Sequence, residues 1–190
     1  MNGTLANHIW PQTQNSNLVR YGALAVFGSL VVAIAAQISV PLPVVPLTLQ
    51  TLAVLAIGAA YGARLGAATL ALYVIEGAAG LPVFAQMKAG AAVIAGPTGG
   101  YIIGFVIAAA LVGYLAEKNW DRSLVKMFAA AILGAIVLYI PGLVWLHQFA
   151  NGWAQTFEWG LTPFVAGDLV KAALVALGFQ GAWNLFGRKA

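Results

Sequence analysis

Between Pro163 and Leu174 the chain reads PFVAGDLVKAAL, which sets a carboxylate, Asp168, and an ammonium, Lys171, three residues apart in an apolar run that continues to Trp183. Residues at i and i+3 share a helix face, so the two can form an internal ion pair worth roughly 0.2–0.5 kcal/mol in water. In a low-dielectric setting the balance changes, because charges inside a membrane span are costly and generally mark a pathway or a site. A lysine one turn below a carboxylate offers donors and an acceptor to a ligand that carries both kinds of group, such as a small acid with an amide-like ring.

Other residues carry weaker signals. Lys88 lies in an apolar connecting stretch and is either an anchor for a ligand carboxylate or a solvated loop charge. Gln86, Gln50, Thr48 and Tyr101 could add donors and acceptors near the same mouth. Glu76 is either structural, fixing a loop, or a ligand group. His8 and His147 are the only histidines, no HExxH occurs and there is no cysteine, so neither a zinc protease, a thiolate metal site nor a disulfide framework is expected. His147 and Asn151 stand four apart with no acidic pair beside them, which reads as an interface cluster. The sequence holds no GxxxxGK[ST], so the chain has no P-loop with which to hydrolyse ATP.

The elements that position these groups follow from composition. Of 190 residues, 62% are hydrophobic and 7% charged, too few polar side chains to clothe a globule of this size in water. An all-α integral membrane protein is expected. Roughly 20 helical residues cross a bilayer core, so the length allows about six or seven spans in one bundle. Cutting the apolar runs at Pro, Gly and charge clusters gives six helices, near 19–39, 47–61, 64–79, 98–117, 123–146 and 163–187. The second and third are short. Residues 1–17, MNGTLANHIWPQTQNSN, lack the features of a signal peptide and read as a retained polar cytoplasmic lead-in to a single membrane domain over 18–190.

Threaded from an inside N-terminus, the six spans put Arg20, Arg64, Lys118, Arg122, Lys126, Arg188 and Lys189 on one side and Lys88 on the other. Both termini are then cytoplasmic. Glu117 and Asp121 fall inside, Glu76 and Glu158 outside. The +4 net charge carries no nucleic-acid reading, because the bases are scattered among spans and form no stripe. If Arg188 marks the inner edge of the last helix, Asp168 lies about 30 Å away, at the outer boundary.

The connecting stretches PLPVVPLTLQT and GAAGLPVFAQMKAGAAVIAGPTGG are apolar yet broken by Pro and Gly. Such loops either rest on the membrane interface or fold over the bundle and line a cavity. Gly22, Ala25, Ser29, Ala33 and Ala36 fall within roughly 80° of arc on the first helix, a smooth face for close approach of a helix from this chain or from another subunit. Trp145, Trp153 and Trp159 read as an aromatic belt, and Pro141 as a kink or an early helix end.

Four stretches carry a family resemblance: VPLTLQT (45–51), GAAGLPVF (77–84), GPTGGY (96–101) and PFVAGDLVKAAL (163–174). In order and register they resemble BioY, the biotin-specific substrate-binding component of energy-coupling factor transporters, over almost the whole chain beyond about residue 18. The resemblance implies six membrane helices in a cytoplasmic membrane that capture biotin from the outer side, with no cofactor of their own and no enzymatic activity. It implies two kinds of partner, a transmembrane coupling protein and ABC-type ATPases. It also implies that the small residues from Gly22 to Ala36 contact the coupling protein, that PLPVVPLTLQT acts as a lid, that Asp168 and Lys171 bind ligand, and that Lys88 is the candidate for the ligand carboxylate. Two alternatives are a component of the same kind for thiamin or riboflavin, and an intramembrane enzyme using Asp168, Glu76 or His147 as acid or base.

Overall fold

An apolar run is stable in lipid only if its backbone N–H and C=O groups pair within the protein, and a helix achieves this within one segment. The computed structural model, which describes residues 4–6 and 17–186, folds every one of the six apolar runs as an α-helix. These are α1 (Asn17–Gln37), α2 (Gln50–Tyr61), α3 (Ala63–Ala78), α5 (Gly99–Glu117), α6 (Leu124–Leu146) and α8 (Val165–Phe186). Two more helices, α4 (Ala91–Ala95) and α7 (Trp153–Gly160), lie in the connections. Beside the six expected helices there are thus two more, eight α-helices in all among the described residues; the added two are five and eight residues long, too short to register as spans. Most of the lead-in with His8, and the basic pair Arg188 and Lys189, lie outside the described residues.

Among the described residues, four helical stretches are long and apolar enough to cross a bilayer: Leu18–Gln37, Gly99–Glu117, Leu124–Phe149 and Val165–Leu185. α2 and α3, at 12 and 16 residues, are shorter than a full crossing. The outward surface is apolar, with Ile34 64%, Ile140 59% and Val170 60% exposed, while the ion pair of α8 is buried. A chain that exposes aliphatic side chains and buries charge is built for lipid, and the protein is multi-pass.

Glycine sets two features of the packing. Between α2 and α3 Gly62 adopts φ +84, a conformation costly for any residue with a Cβ, and lets the chain reverse without a loop. On α5 a Cβ at Gly100 would sit 2.3 Å from the Pro141 carbonyl oxygen, so α5 and α6 approach there at backbone distance. α5 is central, packing on α6, α2 and α3. α6 continues through Pro141 to Leu146, so the proline does not end the helix early.

Contacts between distant residues define two ends of the bundle. At one end Glu117 Oε1 accepts from Ala63 N at 2.9 Å, and Trp183 Nε1 donates to Asp121 Oδ2 at 2.8 Å. The Arg122 guanidinium lies 4.7 Å over the Trp183 ring. At the other end Trp145 Nε1 donates to Gly96 O, and Tyr101 Oη to Gly160 O, both at 2.9 Å. Here a short antiparallel hairpin, β1 (Ser39–Val40) with β2 (Leu47–Thr48), frames the proline-rich stretch. Pro41 and Pro46 cannot donate to a ladder, and pairing stops at them.

Candidate functional site

A cleft enclosing about 700 Å³ of empty space, its open mouth included, lies at the hairpin end of the bundle. Val45, Pro46 and Thr48 of the hairpin form one wall and Gln50 and Thr51 at the start of α2 its continuation. Phe84, Ala85, Lys88 and Val93 come from the connection between α3 and α5. Thr98 before α5, Tyr101, Ile102 and Phe105 on α5, Leu138 and Tyr139 on α6, and Phe164 and Lys171 around α8 complete it. The apolar loops therefore fold against the bundle and line a cavity.

Lys171 is the buried cation of the cleft. It is 5% exposed and its Nζ lies 2.8 Å from Asp168 Oδ1, one turn earlier on α8. Tyr139, from α6, donates its hydroxyl to the other carboxylate oxygen, Asp168 Oδ2. Asp168, 7% exposed, is thus satisfied from two sides and is not among the residues that line the cleft. It stands behind Lys171 and holds it. An ammonium has three donors, so two remain after the bond to Asp168.

The polar residues of the opposite wall form a chain. Thr48 Oγ1 accepts from Gln50 N at 3.2 Å and donates to Gln50 Oε1 at 3.1 Å. Gln50 Nε2 donates to Tyr73 Oη at 2.7 Å, and Tyr73 Oη in turn donates to Val83 O at 2.9 Å. This chain fixes the Gln50 amide at the cleft while it ties α2 to the loop above α3. Tyr101 offers its ring, which meets the Tyr139 ring edge-on at 6.0 Å, because its hydroxyl is engaged with Gly160.

Of the seven expected ligand residues, Asp168 and Lys171 are held as a pair, and Lys171, Lys88, Gln50, Thr48 and Tyr101 converge on the cleft. Gln86 does not: it is exposed, in a left-handed conformation at φ 61, outside the lining. Tyr139 was not singled out from sequence, since a tyrosine in an apolar run is ordinary core material; its one signal is a hydroxyl within a span facing a carboxylate on another. Phe84, Phe105 and Phe164 are apolar lining of the kind no motif announces.

Glu76 Oε1 accepts from Ser29 Oγ at 3.2 Å and so bridges α1 to α3, helix to helix. His147 Nδ1 is 3.1 Å from Thr156 Oγ1 and its ring stacks on Trp153 at 4.1 Å. Asp168, Glu76 and His147 therefore have separate partners and form no acid–base pair. Along α1, Ser29 and Ala36 are fully buried within this chain, Ala25 and Ala33 are half-buried, and Gly22 is exposed. Trp145 is a loop fastener through Gly96, whereas Trp153 is 48% exposed as a belt residue would be.

The model of the BioY family matches residues 9–188. A biotin transporter BioY of Thermotoga maritima is 41% identical over 155 residues, covering 80% of this chain and 90% of that protein. A probable biotin transporter BioY of Pyrococcus horikoshii is 41% identical over 145 residues, covering 76% and 85%. BioY2 of Lactococcus lactis, a biotin transporter, is 32% identical over 165 residues, covering 86% and 90%. Among solved structures, the S-component for biotin from an ECF-type ABC transporter superposes with a TM-score of 0.79 over 89% of this chain and 93% of that one; at 24% identity the likeness is one of fold.

Proposed function

The chain belongs to the BioY family, and from that membership we propose that it is the biotin-binding membrane component of an energy-coupling factor uptake transporter. The observation that carries the proposal is the cleft, an apolar cavity with a buried ammonium, Lys171, on one wall and a second, exposed ammonium, Lys88, at the loop. Biotin matches these features: its ureido ring needs hydrogen-bonding partners, its carboxylate a cation, and its bicycle and valeryl chain an apolar surround.

In this reading Lys171 donates to the ureido carbonyl, with Asp168 and Tyr139 fixing the ammonium. Thr48 and Gln50 supply further polar contacts, the rings of Tyr101 and Phe105 line one wall against apolar parts of the ligand, and Lys88 pairs with the carboxylate. The hairpin around Pro41–Pro46 covers the ligand as a lid. The single domain over 18–190 crosses a cytoplasmic membrane six times, with α2 and α3 completing the crossings, both termini on the cytoplasmic side and the cleft on the outer side. The basic residues gathered toward one end, Arg64, Lys118, Arg122 and Lys126, support that orientation. Transport uses a transmembrane coupling protein and ABC-type ATPases, which consume the ATP; this chain needs no cofactor and performs no chemistry. On α1, contact with the coupling protein is proposed for Gly22 and the flank of Ala25 and Ala33, since Ser29 and Ala36 are already packed inside.

Competition for labelled biotin on the purified chain by unlabelled biotin, thiamin and riboflavin tests the ligand. Displacement by biotin alone is expected; displacement by thiamin or riboflavin at comparable concentration would assign the cleft to another vitamin.

A further inference from the structure

We infer that Gln37, which lies outside the cleft, is a positioning residue for Lys88 and so tunes the grip on the ligand carboxylate; this rests on the role proposed above for Lys88. Gln37 is the last residue of α1. Its Nε2 donates to Phe84 O at 3.1 Å and its Oε1 accepts from Met87 N at 3.0 Å, so a single carboxamide clasps both sides of one turn.

That turn needs clasping. Gln86 and Met87 both lie in the left-handed region, at φ 61 and φ 57, where side chains beyond glycine are strained. Two backbone bonds close the turn, Phe84 N to Lys88 O at 3.1 Å and Lys88 N to Ala85 O at 3.3 Å. Strain of this kind persists only where the surroundings over-determine it, and the Gln37 amide supplies partners for the Phe84 carbonyl and the Met87 N–H. Phe84, Ala85 and Lys88 line the cleft, whereas Gln37, Gln86 and Met87 do not. The clasp therefore acts on the ligand through the turn and without touching it. Phe84 is also held by its edge-on contact with Tyr73 at 5.6 Å, so loss of the clasp should free the Lys88 side of the turn more than the Phe84 side.

The test compares the affinities of the purified full chain for biotin and for biotin methyl ester, which lacks the carboxylate charge, in Gln37→Ala, Lys88→Ala and the double variant. Melting temperatures of the ligand-free proteins are recorded alongside. Gln37→Ala is expected to weaken biotin by about tenfold, the scale of one charge-assisted hydrogen bond, and the ester by less than about twofold. In the Lys88→Ala background it should add no further loss. Equal weakening of biotin and ester by Gln37→Ala, or an undiminished effect without Lys88, would make the clasp merely structural and overturn the inference. A silent Gln37→Ala beside a weakened Lys88→Ala overturns the positioning role alone. A silent Lys88→Ala overturns it together with the carboxylate role on which it rests.

Discussion

Lys171 Nζ lies 2.8 Å from Asp168 Oδ1 on one buried turn of α8, and of the two only Lys171 lines the cleft. The arrangement ties stability to binding. Removing one member of a buried pair strands the other's charge, at a cost of about 3–5 kcal/mol, whereas replacing both by neutral groups of similar shape is often nearly neutral. Lys171→Met should therefore lower the melting temperature of the ligand-free protein in detergent, and Asp168→Asn with Lys171→Met should recover most of the loss. A double variant no more stable than Lys171→Met would contradict the pairing.

Tyr139 tests the depth of that support. Tyr139→Phe removes the donor to Asp168 Oδ2 and keeps the ring that packs edge-on against Tyr101. An acceptor left one bond short is expected to cost about 1–3 kcal/mol of stability. If the carboxylate orients Lys171, biotin affinity should fall as well, though by less than in Lys171→Ala. Unchanged affinity by calorimetry would detach Tyr139 from the site.

The close approach of α5 and α6 makes a sharper structural prediction. Gly100→Ala places a Cβ 2.3 Å from the Pro141 carbonyl oxygen and 2.4 Å from Trp145 Cβ, atoms that are not free to move away. Overpacking at such a site costs about 1–3 kcal/mol. Because Tyr101 is the next residue on α5, the distortion should reach the cleft, and thermal unfolding and biotin affinity should fall together.

Asp121 gives a pH dependence outside the membrane spans. Burial pushes its carboxyl above the usual carboxylate range, opposed by the Trp183 N–H and the Arg122 charge. A carboxyl whose folded value is raised stabilises the fold fully below its unfolded pKa, and that contribution is lost as pH rises through the folded value. Asp121→Asn keeps an acceptor for Trp183 without the titration. Melting curves from pH 4 to 8 should show the variant gaining on the parent as pH rises; parallel curves would mean that Asp121 does not titrate differently on folding.

Much of this was legible in the residues. Charge inside an apolar run is costly, so the Asp168 and Lys171 pair stood out, and the six long apolar runs were readable as helices because Pro, Gly and basic residues bound them. α7 was hidden by its eight residues, and α4 by five. Spacing along α1 grouped Gly22 with Ser29 and Ala36, yet helix periodicity cannot say which face a neighbour covers, and Ser29 and Ala36 turned inward. Gln86 read as a hydrogen-bonding group near the mouth of the site, but it sits in a left-handed turn and is not among the residues that line the cleft. Tyr139 and Gln37 depend on partners 29 and 47 to 50 residues away, pairings that no local pattern encodes.

The central claim, that this cleft holds biotin through the Lys171 ammonium, is tested most directly by calorimetric titration of biotin into the purified chain and into Lys171→Ala. Tight binding to the parent, weakened about 10- to 100-fold by loss of one charge-assisted contact, is the predicted result. Equal affinity in the two proteins, or no binding to the parent, would contradict it.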